Sequence, residues 1–146
     1  MQNIEKIEED AKLLLSENPV MVKKISAALG IKEESSHKAL CEVLKFLSLI
    51  ELKKESLTPS LKIDLAWHEF ILFTRVYHKY CDKNFGRYIH HNPGGNEKDN
   101  LKKFKKTLFA YHKHFGTAPE EFWGSHINPF KAECGACTSI DDFSPN

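Results

Sequence analysis

A mostly helical fold is what this sequence predicts, and two features of it carry that prediction. Apolar residues recur at three- and four-residue spacing along most of the chain, and Pro and Gly fall where such segments should start or stop. A third feature sets the architecture: residues 61–83 are apolar over so much of a helical circumference that one long helix there should be central. The chain has 146 residues, which suits one domain or one domain with a small appendage.

Ile4, Ile7, Ala11, Leu14 and Leu15 mark a first helix, which Asn18-Pro19 should break. A second helix should run through Leu29 and end at Gly30 as its C-terminal cap. A third should begin near Glu33 and carry Ala39, Leu40, Val43, Leu44 and Leu47 on one face. The resulting three-helix unit resembles a helix-turn-helix, as in winged-helix modules. DNA reading by the helix after Gly30 is disfavoured, because it opens with Glu33 and Glu34 where phosphates need positive charge. A packing or protein-partner unit is the simpler expectation.

"KKESLTPS" is a polar turn, with Thr58 expected as the cap and Pro59 in the first turn of the next helix. Along residues 61–83, Asp64, Trp67, Ile71, Thr74, His78 and Cys81 form one stripe, broadened by Phe70, Phe73 and Tyr77. Asn84 and Gly86 should end this helix, and the chain should double back through "RYIHHNPGG". A last long helix is expected over about residues 98–115, with Leu101, Phe104, Leu108, Phe109 and Tyr111 inward. "EEFW" should form a short turn of helix before an irregular tail. The expected division is a helix-turn-helix-like subunit over 1–56, a helical core over 57–123 and a tail over 124–146 that carries a CxxC pair.

The net charge is +1, so no global field favours nucleic acid or an anionic membrane. "MQNIEKIEED" lacks the apolar run of a signal peptide, and no segment approaches the ~20 apolar residues that span a bilayer. A cytoplasmic location is the expectation, in which Cys41, Cys81, Cys134 and Cys137 would be thiols or metal ligands. Cys41 reads as a core residue. Cys134 and Cys137 are spaced to face one metal ion or each other, and a metal would have to recruit histidines from elsewhere as its other donors.

Three histidines stand out. His68 lies one turn after Asp64, about 40° round the helix, where a carboxylate can fix an imidazole tautomer. His68 and Cys81 are about 20 Å apart along a straight helix, so they meet only if that helix breaks. From Gly86 the chain can return at up to ~3.3 Å per residue, bringing His90 or His91 back toward His68. Adjacent extended residues point in opposite directions, so one imidazole should face the helix and the other away. His126, ahead of the tail cysteines, is a further candidate donor.

"LTPS", "IDLAWHEFIL", "TRVYHKYC", "FGRYIHHNP" and "LFAYHKHFGTAPEEFW" together resemble the glycine-rich domain-containing protein-like family over about residues 57–123. That resemblance singles out Asp64, Trp67, His68, Tyr77, Cys81, His90 and His91. It implies no established reaction. Phe70 replaces a histidine common in that family, and the tail is reduced to "CGAC". The functional expectation is a metal-binding or interaction domain in which His68, His90, His91, Cys134 and Cys137 supply donors and Asp64 orients His68. Imidazole and thiolate would suit zinc. A DNA-binding regulator is the competing class. A small metalloenzyme is third, with Glu69 or Tyr88 as proton-transfer partners, though no phosphate loop, HExxH or nucleophile–base pair is present.

Overall fold

Asn3 opens the first helix, α1 (Ile4–Glu17), by accepting the Lys6 backbone N–H on its side chain at 2.7 Å. The computed structural model describes residues 3–92 and 94–125. Ile7, Ala11 and Leu15, four residues apart, are the buried stripe of α1. Asn18 closes the helix, both its backbone and its side-chain N–H returning to the Leu14 carbonyl. Pro19 then occupies the start of α2 (Pro19–Leu29), where its missing N–H costs nothing. Gly30 ends α2 in the left-handed region at φ 65°, and the Ile31 N–H returns to the Ser26 carbonyl at 3.0 Å.

A 3-10 turn (Glu33–Ser35) leads into α3 (Ser36–Lys53). Leu40, Leu44, Phe46 and Leu47 are fully buried on it, and the buried set extends round most of its circumference. This makes α3 the enclosed helix of the fold. The expectation of one long central helix over 61–83 is therefore corrected. That stretch forms two helices, α4 (Leu61–Leu72) and α5 (Thr74–Phe85), with Phe73 between them at φ −86°, ψ 68°.

The break has a packing cause. The Trp67 indole N–H donates to the Tyr77 hydroxyl at 3.0 Å. Ten residues of straight helix would hold them about 15 Å apart along the axis. The bend also sets Phe70 against Tyr77 and Tyr80, with ring centroids 5.0 and 5.9 Å apart. Cys81, buried on the same side of α5, joins this cluster.

Ser60, not Thr58, caps α4. Its hydroxyl accepts the Ile63 N–H at 3.2 Å and donates to the Phe122 carbonyl at 2.6 Å, a second partner that fixes the choice. Gly86, at φ 69°, ends α5 as expected. The chain then returns through residues 87–92 to α6 (Glu97–Phe115) and the short α7 (Glu120–Trp123). On α6 the inward stripe is Asn100, Phe104, Thr107 and Tyr111. Phe109, expected inward, is 71% exposed, because the Phe104–Tyr111 line turns it to the other side.

The described residues form seven α-helices and no β-strand. One hydrophobic cluster runs from Ile7 to Trp123, and α2 packs directly on α4 across residue 57. No helix among the described residues is long and apolar enough to cross a membrane.

Inside this cluster lies a buried carboxylate that joins α3, α6 and α7. Glu42 Oε1 accepts the Tyr111 hydroxyl at 2.6 Å and the Trp123 indole N–H at 2.8 Å, and Oε2 pairs with Lys45 Nζ at 3.1 Å. Burial, followed by the Glu42 charge, pushes the Tyr111 phenol well above its ordinary range, so it stays a donor. Glu42→Ala is expected to destabilise the fold by about 2–4 kcal/mol, since it strands two buried donors. Glu42→Gln, which keeps an acceptor oxygen, should cost less. Urea denaturation midpoints check both, and an unchanged Glu42→Ala midpoint would deny the carboxylate this role.

Candidate functional site

Tyr77 donates its proton to the Ile89 carbonyl at 2.6 Å, which pins the returning loop against α5. Burial raises the Tyr77 phenol well above its usual range, so that proton stays in place. Around this anchor the loop alternates as an extended chain does: Ile89 is buried, His90 exposed, His91 half-buried. His91 therefore faces α4. Its Nε2 lies 2.6 Å from Asp64 Oδ1, and its ring centroid is 4.4 Å from that of Trp67. The hydrogen bond that His91 donates to Asp64 raises the His91 pKa above the usual imidazole value, and the Asp64 charge adds to it; partial burial opposes both.

Asp64 thus engages the loop imidazole rather than His68, the partner expected from its own helix. His68 is exposed, and its ring stands edge-on to His91 with centroids 6.3 Å apart. His90 is exposed and lies against Tyr88, centroids 4.6 Å apart, and it also borders the cleft that His91 faces. Although the helix does break, Cys81 does not approach His68. Its thiol sits by Tyr77 and the Ile89 backbone, and burial pushes its pKa up. Cys134, Cys137 and His126 lie outside the described residues. Among those described, no group of three His, Cys, Asp or Glu side chains is placed to hold a metal ion.

Asp64, Trp67 and His91 form one wall of a cleft of about 420 Å³. The rest comes from the end of α3, the turn before α4, residues 87–92 and the start of α6. Lys54, Arg87 and Lys103 also line it. Arg87 Nε donates to Glu51 Oε2 at 2.8 Å, and Glu51 also pairs with Lys54. Lys54 first, and then Arg87, hold the Glu51 carboxyl below its ordinary range. Asn100 clamps the far end of the loop: its amide donates to the Gly95 carbonyl and accepts the Gly95 N–H, both at 3.0 Å.

Sequence reasoning passed over Arg87, Lys103 and Asn100. Arg87 sits inside the loop already singled out, beside Gly86, and was the signal available. Lys103 lies in the basic run "KKFKK", which in the sequence alone reads most simply as a solvated face. Tyr88 and Glu69, the expected proton-transfer partners, do not line the cleft.

The UCP032817-like family model matches residues 16–131, well over half of the chain. This corrects the resemblance to the glycine-rich domain-containing protein-like family. The matched region begins within α1 and takes in α2 and α3, which that resemblance left out. Its quoted motifs hold local arrangements here, Trp67–Tyr77–Ile89 and Asp64–His91, and piecewise agreement over them does not identify a family. No curated protein and no solved structure matches the chain.

The raised His91 pKa gives the pair a defined pH dependence. Its stabilisation is complete below the unfolded imidazole value of 6.5 and is lost as pH rises through the higher folded value. The stability difference between the parent and His91→Ala should therefore shrink by about 1–2 kcal/mol between about pH 6 and pH 9. Urea denaturation across that range measures it. A difference that is flat or grows with pH would show that the imidazole carries no extra proton in the fold.

Proposed function

We propose that this chain, which belongs to the UCP032817-like family, is a cytoplasmic binding domain that takes a small polar ligand in the cleft beside α4. The observation that carries this reading is the Asp64–His91 pair on the wall of a cleft of about 420 Å³. Small-molecule sites are typically concave, with a few convergent polar groups that set orientation. His91 is held from two directions, by the Asp64 carboxylate at 2.6 Å and by the Trp67 ring. Its position is therefore set before a ligand arrives, which lowers the entropic cost of binding. Trp67 and Ile89 give the same wall an apolar part.

A thermal-shift screen of small polar compounds tests this. A ligand at 100 times its Kd should stabilise the parent by about 2.7 kcal/mol and should lose that effect in His91→Ala. Hits that stabilise His91→Ala as well as the parent would put the ligand elsewhere.

A second reading, a metal site, rests on a separate observation. Asp64 and His68 are one helical turn apart, and the His68 and His91 rings are 6.3 Å from centroid to centroid. Two imidazoles on one zinc ion stand roughly 5–6 Å apart by centroid, given Zn–N distances of about 2.0–2.1 Å. A rotation of the exposed His68 side chain and release of the Asp64–His91 bond would bring three donors together, with Cys134 and Cys137 as candidates for the rest of the shell. Zinc titration by calorimetry, on protein without a histidine tag, should then show binding that His68→Ala and His91→Ala abolish and His90→Ala keeps. Absence of binding by the parent would remove this reading.

The helix-turn-helix-like α2 and α3 serve, on this proposal, as a packing and partner-binding unit. The burial of Leu40, Val43, Leu44 and Leu47 on α3 leaves little exposed face with which a helix could read a groove, and this supports that choice over DNA binding.

A further inference from the structure

We infer that the ligand of this cleft carries a carboxylate or phosphate group, held by Arg87 and Lys103. The inference rests on the binding reading above and adds the chemical class. The two fixed anions on the cleft lining are Glu55 and Asp64, and Asp64 is already engaged by His91. Three fixed cations, Lys54, Arg87 and Lys103, line the same space. Lys54 is held by Glu51 outside the cleft lining. Arg87 is held by Glu51 through Nε alone, and among the described residues no other hydrogen bond of its guanidinium occurs. That contact steadies the planar group while leaving the terminal nitrogens for a second partner. A guanidinium with two free N–H-bearing nitrogens matches the two oxygens of a carboxylate or phosphate edge.

Lys103 is half-buried on α6 and makes no ion pair among the described residues. A cation on the cleft lining without a counter-charge attracts an anion into the cleft. A neutral polar ligand would leave Lys103 without a counter-charge and the terminal nitrogens of Arg87 without a second partner among the described residues.

Amide NMR titrations at constant ionic strength provide the test, with inorganic phosphate, acetate and glycerol as probes. Phosphate should shift the signals of Arg87, His91 and Lys103, and glycerol should not; comparison of phosphate with acetate tells which oxyanion the cleft prefers. Arg87→Gln and Lys103→Gln should each weaken phosphate binding about tenfold, the loss of one charged hydrogen bond. Arg87→Lys, which keeps the ion pair with Glu51, should retain part of it, and Lys79→Gln on the exposed side of α5 should change nothing. Equal weakening by Lys79→Gln would reduce the effect to general surface charge and overturn the inference. Glycerol shifts at His91 without phosphate shifts would overturn the anionic class while leaving the cleft as the binding site. No shift with any probe would overturn both.

Discussion

A tyrosine hydroxyl has one proton to give, and Tyr77 gives it to the Ile89 carbonyl while accepting the Trp67 indole N–H. The roles cannot be exchanged, because an indole only donates and a carbonyl only accepts. This relay ties three segments together: α4 through Trp67, α5 through Tyr77 and the returning loop through Ile89. A continuous helix over residues 61–83 is incompatible with it. Leaving these groups unpaired in the interior would cost more than the helical hydrogen bonds given up at Phe73. The kink is thus the local consequence of a tertiary demand, and the position of the loop follows from the kink.

Two carboxylates do different work in this frame. Glu42 is 4% exposed, and both its oxygens are occupied by Tyr111, Trp123 and Lys45. With no room for an incoming group, it acts as a junction between α3 and the last two helices. Asp64 has a single strong partner and about a quarter of its side chain open to solvent. It faces the cleft with spare acceptor capacity. The first arrangement fixes the fold, and the second leaves chemistry available at its edge.

Much of the helical order was legible because its signals are local. Pro19, Gly30 and Gly86 mark boundaries by their own backbone preferences, and the structure places helix ends beside each. The features that escaped are the ones set by distant partners. Phe73 has no breaker chemistry, and only the Trp67–Tyr77 contact shows why the helix stops there. Thr58 and Ser60 are both good caps, and Ser60 prevails because α7 supplies a second hydrogen bond 62 residues away. Glu42 looks like any charged helix residue until Tyr111 and Trp123 arrive around it. At the site, the period of an extended chain predicted that one of two adjacent imidazoles would face the helix. Which one depended on Ile89 being the buried anchor, and that is not written in the two histidines.

The same dependence explains how a short loop can hold His91 accurately. Residues 89 and 95 are each fixed, the first by Tyr77 and the second by the Asn100 clamp. His91 lies between these two points, and its ring is further set by Asp64 and Trp67. A loop free at both ends would lose the entropy of several residues whenever a ligand ordered it. Here the two ends and the key side chain are ordered by folding itself, through groups that belong to the core. On the proposed reading, binding at this cleft would need to overcome little more than ligand immobilisation and desolvation. The aromatic relay that bends the helix is also what prepares the site.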